Sequence, residues 1–367
     1  MAARGSLSGF HAYANEAVLP EMLSGVYTFP TLATALSIKG ATVGKLTPKS
    51  SLVLGRKVTA AKAKDMAGST QLQGFFQTGD ISSGKVIGVD DTGASAGNER
   101  VSTKKRSWYT SWAEYEEAVA LENEKLDAAK GKYAVGSLIE DATQIALSSQ
   151  LDRIATDLYT GAPSDYTADV YDTAIPGLNV WLNNNNNVFG VDRSSVDGFS
   201  AQYSTTAYKY TLSTIEDICS IGLTQANGKS KWSLNSKGSR ADVIIVPEAG
   251  YNKLKKEAIS KQLGRAVSGD SLPKGGMVGY VSEYVDYSGK LIFPDPKAAA
   301  GSIYVLDSNA ISMEFFAGKN FTVSPFVDLR KLQPGTGQPN TTNAALCTKL
   351  RMAVHEPWKC FYGTNFS

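Results

Sequence analysis

The clearest periodic signal in the chain runs from Val135 to Leu158. Val135, Leu138, Ile139, Ala142, Ile145 and Ala146 step by three and four, and Leu147, Leu151, Ile154 and Leu158 continue on a shifted stripe. That spacing predicts one long helix over Lys132–Tyr159, about 40 Å at 1.5 Å per residue. Gly131 or Gly136 starts or bends it, and Gly161 and Pro163 end it. Upstream, Ser111-Trp-Ala-Glu114 reads as a capping box and predicts that helix begins there. Glu114, Glu116, Glu117, Glu122 and Glu124 would then line its solvated face. A second box, Ser213-Thr-Ile-Glu216, opens a short helix through about Leu223. Val243-Ile-Ile-Val246 is a buried strand ended by Pro247, and Glu248–Leu263 alternates as a helix with Lys253, Lys255 and Lys256 on its wet side. Strands crowd toward the end: Tyr280–Tyr287, Leu291–Phe293, Ile303–Leu306, Ile311–Phe316, Phe321–Phe326 and Ala344–His355. Helices in the middle and strands late predict an α+β fold rather than a doubly wound sheet.

Other stretches carry no such period. Residues 1–40 mix short apolar clusters with Pro20 and Pro30 and read as an extended arm that packs elsewhere. Between Met66 and Arg106 only 9 of 41 residues are Ile, Leu, Val, Met or Phe. Such a segment cannot form a core of its own, so residues 41–110 read as an extended hairpin arm that needs neighbours. Residues 164–212 are turn-rich around the pentad Asn183–Asn187, and Gly264–Gly279, with five glycines and Pro273, reads as a long loop.

Composition narrows the classes. At 367 residues with 42% hydrophobic and 20% charged positions, the chain is an ordinary folded protein of two or three domains. A formal charge of +2 is too balanced for a dedicated nucleic-acid coat. Three cysteines exclude a disulfide-dense scaffold and fit a reducing compartment. No apolar run reaches membrane-spanning length, and the first residues carry no signal-peptide pattern, so the expectation is a cytosolic product without membrane contact.

The search for catalytic chemistry returns little. Gly79-Asp-Ile-Ser-Ser-Gly84-Lys85-Val86 follows the phosphate-loop pattern until Val86 replaces the magnesium-binding Ser/Thr, and it lacks the strand-then-helix setting. A glycine-rich hairpin tip is the better reading. His355 sits on an expected strand as a structural residue, and Cys347 and Cys360 read as small hydrophobes. Lys229, Lys231, Trp232, Lys237 and Arg240 interleave base and aromatic, but read as a solvated loop. Lys104-Lys-Arg106 suits the exit of an arm that lies along acidic neighbours. No catalytic, metal or cofactor residue is assigned.

The order of parts resembles one family, the major capsid proteins of tailed double-stranded DNA bacteriophages with the Hong Kong ninety-seven type of fold. Lys105-Arg-Ser-Trp-Tyr109 resembles that family's exit from its E-loop, and Asp157-Leu-Tyr-Thr-Gly161 the close of its spine helix. Phe189-Gly-Val-Asp-Arg193 is similar to the stretch before its A-domain core. Ala241–Tyr251 resembles the central A-domain strand and helix, and Ile303–Asp307 with Cys347–Val354 the P-domain return. One departure stands out: Ser194-Ser-Val-Asp-Gly-Phe199 replaces the Trp-Trp pair of many relatives.

The resemblance implies an N-terminal arm over 1–40, an E-loop over 41–110, and a spine helix with the first P-domain part over 111–180. An A-domain over 181–300 and returning P-domain strands over 301–367 complete it. It further implies a non-enzymatic subunit of an icosahedral virion head, assembled in the host cytoplasm. The expected partners are copies of itself in pentamers and hexamers, packaged double-stranded DNA without sequence specificity, and portal, scaffolding and cement proteins. Subunit contacts are expected at Gly84 and Lys85 on the hairpin tip, at Lys104 and Arg106 on its exit, and at Gly264, Gly269 and Gly275 on a loop facing a symmetry axis. Some relatives join an E-loop lysine to a neighbour's asparagine. Lys85 with Asn340 or Asn343 is the candidate pair, although ordinary exposed polar residues are the favoured reading. Two alternatives stay open: an encapsulin-like host nanocompartment shell, and a soluble hydrolase with its site around Gly264–Gly279.

Overall fold

The computed structural model describes residues 7–25, 30–44, 51–56, 71–77, 105–129, 132–161, 175–183, 201–224, 241–260, 265–268, 283–287, 289–329 and 340–367. It is an α+β fold built on two sheets and one long helix. The longest strand, β15 (Thr341–Val354), organises the first sheet. Along one edge it pairs antiparallel with β5 (Ala113–Glu122), from Thr341 opposite Glu122 to Leu350 opposite Ala113. Along the other edge three short strands succeed one another: β14 (Val327–Asp328), β13 (Thr322–Val323) and β12 (Ile311–Phe315). Beyond β12 lie β2 (Leu52–Gly55) and β1 (Ala41–Gly44). Gly55 turns the chain there at φ +95°, and a Cβ on it would stand 2.2 Å from the Ile311 carbonyl oxygen, so only glycine fits.

Helix α5 (Lys132–Thr160) lies against this sheet, within one residue of the predicted span. Ile139, Ala146, Leu147, Leu151, Ile154 and Leu158 are buried, Leu138 is half-buried, and Ile145 is 72% exposed. The expectation that Ile145 joins the core is therefore wrong: the apolar stripe drifts around the helix, and at Ile145 it has already left the sheet-facing side. Gln150 ties the layers together. Its Nε2 donates to the carbonyls of Tyr115 (2.8 Å) and Leu346 (3.0 Å), and its Oε1 accepts from the Thr348 hydroxyl (2.8 Å).

The second sheet runs β6 (Gln202–Ser204), β16 (Phe361–Gly363), β11 (Ile303–Leu306), β7 (Val243–Val246), β10 (Lys290–Pro294), β9 (Glu283–Tyr287) and β8 (Arg265–Ser268). Val243 and Ile245 face the first core, shared with α5, while Ile244 and Val246 face a second core under α7 (Leu212–Thr224) and α8 (Glu248–Ser260). A strand covered on both faces has no wet side, hence the unbroken apolar run. Tyr159 at the end of α5 donates to Asp295 Oδ2 (2.6 Å) just after β10, and Tyr304 on β11 donates to Asn179 Oδ1 (2.7 Å) on the short α6 (Leu178–Leu182). These bonds seam the long helix and α6 to the second sheet.

Several expectations are corrected. Residues 113–122 are strand, not helix. Ala113, Tyr115, Val119 and Leu121 are buried while Glu114, Glu116, Ala118, Ala120 and Glu122 are exposed, a period of two that ten rungs with β15 enforce. Ser111 closes a strand instead of capping a helix, and helix starts only at α4 (Asn123–Ala128).

Residues 7–25 and 31–39 are helical and pack on the chain's own core, not as an extended arm. α1 (Leu7–Tyr13), a π turn over Ala14–Val18 and α2 (Leu19–Gly25) bury Ala14, Val18 and Met22 at four-residue steps. Pro20 follows the π turn within one unbroken helical run, since Tyr13 and Leu19 on either side of the turn are both right-handed helical, and Pro30 precedes the first residue of α3 (Thr31–Lys39). Pro30 starts a helix and Pro20 sits beside a local widening of one; neither marks an extended arm. Asn15, inside the π turn, grips the edge of β13: its Nδ2 donates to the Val323 carbonyl and its Oδ1 accepts from the Val323 N–H, both at 2.9 Å.

Residues 41–44 and 52–55 are sheet strands and not part of an arm, since Leu52, Val53 and Leu54 supply apolar surface the sheet can bury. In the second capping box the cap is Thr211, two residues early, whose Oγ1 accepts from the Thr214 N–H (3.2 Å). Glu216 instead accepts from the Tyr287 hydroxyl (2.6 Å). The expected Phe321–Phe326 strand is reduced to Thr322–Val323, because Phe321 holds a left-handed φ of 51° that a strand cannot continue through.

Candidate assembly surface

Among the described strands, β3 (Gln71–Gln77) and β4 (Lys105–Ser111) pair with each other alone, antiparallel, from Gln71 opposite Ser111 to Gln77 opposite Lys105. A two-stranded ribbon is marginal in water without a third partner, so this element needs a surface to lie on. Arg106 stands in β4 opposite Phe76. Gly84, Lys85, Lys104, Gly264, Gly269 and Gly275 lie outside the described residues, as do the phosphate-loop-like stretch and Phe189–Phe199. Within the expected loop Gly264–Gly279, Arg265–Ser268 instead form β8 and pair with β9.

The ribbon joins the first sheet through a single residue. β4 ends at Ser111, β5 begins at Ala113, and Trp112 occupies the break. Continuing the β5–β15 register by one step places Trp112 opposite Arg351, whose guanidinium carbon lies 4.1 Å from its ring centroid. On Arg351's other flank, β12 sets Glu314 directly opposite, and Nε and Nη2 of Arg351 both reach Glu314 Oε2 at 2.7 Å. Both charged side chains are fully buried. Burial raises the Glu314 carboxyl above its ordinary value, opposed by the guanidinium, and Glu314 Oε1 has no hydrogen-bond partner among the described residues. Phe316 packs edge-on to Trp112 at 5.3 Å. Sequence reasoning missed this group, although a signal exists: Glu314 and Arg351 are opposite charges inside the apolar runs Ile311–Phe315 and Leu350–Val354.

Two apolar side chains project from the free side of α5, Tyr133 (92% exposed) and Ile145, and Val327 on β14 is 41% exposed. Reactive groups are held quiet. Burial pushes the Cys360 thiol up to about 12, and burial with Glu116 beside it pushes Cys347 to about 11. Nε2 of His355 is 2.8 Å from the Ser312 hydroxyl, but Ser312 is buried between strands and offers no nucleophile to solvent. Asn340 accepts the Asn123 N–H on its backbone carbonyl, and Asn343 lies within β15 opposite Ala120. Among the described residues no group of His, Cys, Asp and Glu side chains is placed to hold a metal ion, and no helix is long and apolar enough to cross a membrane.

No family model and no curated protein sequence matches the chain. Solved structures do. A chain of the cyanophage A-1(L) capsid asymmetric unit superposes with a TM-score of 0.53 at 14% identity, covering 81% of this chain and 88% of that one. Mycobacterium phage Bobi gives 0.49 at 12% identity over 100% and 99% of the two chains. The holo-SrpI encapsulin complex from Synechococcus elongatus gives 0.41 at 10% identity over 80% and 82%. Only the first superposes closely enough to bear on the fold. At that identity the superposition speaks for the fold alone, and the fold of this chain is that of a phage capsid protein.

Proposed function

We propose that the protein is the structural subunit that self-assembles into the icosahedral head of a tailed phage around double-stranded DNA. The superposition on the cyanophage capsid chain carries this reading, and the two-stranded β3–β4 ribbon agrees with it, because a tile can complete such an element on its neighbours. On this reading the ribbon is the root of the E-loop (expected over 41–110, less the sheet strands β1 and β2), α5 is the spine helix (within 111–180), and the sheet built on β15 is the P-domain, which takes most of the returning strands (301–367). The second sheet, with β6 to β10 from 181–300 completed by β11 and β16 from 301–367, is the A-domain, and residues 1–40 hold the N-terminal arm's place in the chain while their described helices pack on the first core. Contacts between copies then fall at Gly84, Lys85, Lys104 and Arg106 on the E-loop and at Gly264, Gly269 and Gly275 on the axis loop.

The subunit acts by packing and not by catalysis, and its working location is the virion. Its partners are further copies in pentamers and hexamers, the packaged DNA held without sequence specificity, and portal, scaffolding and cement proteins. Sedimentation and electron microscopy of the purified protein test the reading. Closed icosahedral particles are expected, and a stable 39.1 kDa monomer under all assembly conditions would overturn it. Particles that enclose enzyme cargo in the native host and no viral genome would replace the phage head with a nanocompartment.

A further inference from the structure

The Trp112–Arg351–Glu314 stack is a costly arrangement for a merely stable sheet. Two opposite charges are fully buried on adjacent strands, and one carboxylate oxygen is left without a partner. A well-packed apolar pair of similar volume is commonly as stable or more so, and a buried ion pair is best explained where it fixes one geometry among several. The position says which geometry. Arg351 is the first residue of β15 beyond the β5 pairing, which ends with Leu350 opposite Ala113. The neighbour it meets instead is Trp112, the one residue between the ribbon strand and the sheet strand.

Trp112 stands between the two ladders, where side-chain contacts with Arg351 and Phe316 bear on its ring. The planar guanidinium is locked in its own plane by two 2.7 Å contacts to Glu314 Oε2. It presents a flat cationic face at 4.1 Å to the indole, a pairing worth more when desolvated than at a surface. Phe316 closes the edge of the same ring. An aliphatic pair would fill the space, but would let the indole rotate and slide.

We propose that Trp112, Arg351 and Glu314 are positioning residues that set the direction in which the β3–β4 ribbon leaves the sheet, and hence where it meets the next copy of the chain. The inference rests on the capsid reading for its consequence, but not for its geometry. At an extended rise of about 3.3 Å per residue, the seven-residue strand β4 carries a small rotation at Trp112 to a displacement of several ångströms at its far end.

Two measurements test it. In the free subunit, spin labels on non-canonical side chains at Gln73 and Ser148 report the distance between ribbon and long helix. The wild type is expected to give one narrow distribution, and the double variant Glu314→Leu/Arg351→Met a broad one at an unchanged or higher melting temperature. Trp112→Leu should broaden it likewise, while Trp112→Phe, which keeps a π face, should restore it. In assembly, closed-particle yield should fall at least ten-fold for the double variant and for Trp112→Leu, and recover with Trp112→Phe. An unchanged distance distribution in both variants, or regular shells at wild-type yield, would overturn the inference. Should the double variant not fold, Trp112→Leu alone decides it. A wild type that never assembles defeats the capsid reading, and the distance measurement still judges the positioning role.

Discussion

Gln150→Leu is the sharpest probe of how the long helix is fixed to the first sheet. The side chain is fully buried and makes three hydrogen bonds, to Tyr115 O, Leu346 O and the Thr348 hydroxyl. Each bond contributes about 1 kcal/mol net, and a hydroxyl stranded in the interior costs about 1–3 kcal/mol. Leucine is of similar size and returns part of this through apolar burial, so the net loss should be about 2–4 kcal/mol. Urea unfolding of the unassembled subunit, followed by circular dichroism, should show a lower midpoint at unchanged slope. Thr348→Val should cost about 1–2 kcal/mol because it strands Gln150 Oε1. The double variant should cost less than the sum of the two by about 1 kcal/mol or more, since each single change leaves an orphan that the second removes. No charge is involved, so the effect should be insensitive to salt. A loss below about 1 kcal/mol, or strict additivity, would refute the account of Gln150 as the tie between the layers.

Leu147→Ala should cost about 2–5 kcal/mol, whereas Ile145→Ala two residues earlier should change stability by less than about 0.5 kcal/mol in the free subunit; comparable losses would remove the assigned helix face. Burial raises the Asp307 carboxyl, with the Asn309 N–H and Lys359 opposing. A carboxyl raised on folding contributes most below its unfolded value of about 3.9 and loses that contribution as pH rises through the folded value. Asp307→Asn should therefore gain on the wild type as pH rises above the unfolded carboxyl value, and a flat difference in unfolding free energy would contradict this. Replacing residues 66–101 with a short Gly-Ser turn should leave a cooperative melt in calorimetry but abolish particles in electron microscopy. Complete shells from that variant would end the reading of the ribbon as an assembly arm.

The long helix, the doubly buried β7 and the late strands were legible because each has a period or a run with one physical meaning. β7 and β11 match their predicted spans residue for residue. Misreadings arose where a local motif competed with a long-range one. Ser111-Trp-Ala-Glu114 satisfies the capping-box pattern, but the alternation of Ala113, Tyr115, Val119 and Leu121 is the stronger signal, since β15 supplies ten rungs from more than 200 positions away. Pro20 and Pro30 were read as breakers because proline both opens and interrupts helices, and only the buried four-residue steps at Ala14, Val18 and Met22 distinguish the two. The Trp112 stack was missed for a different reason. Its members come from β12, β15 and the break between β4 and β5, and although two opposite charges in apolar runs hint at a pair, nothing in the sequence sets their register.

The buried polar side chains divide by what they join. Gln150, Asn15, and the Tyr159–Asp295 and Tyr304–Asn179 pairs each bridge two layers, and in each the key atoms are matched donor to acceptor at 2.6–3.0 Å. Bonds of this kind have narrow geometric tolerance, so they fix helix against sheet and sheet against sheet more tightly than apolar packing alone. Where β4 passes into β5 the hold is of another kind: the Arg351 guanidinium lies over the Trp112 ring and is itself held by Glu314. A planar cation fixed on one side and stacked on the other constrains the ring's plane as well as its position, so the proposed capsid subunit would present its ribbon to a neighbouring copy in one direction.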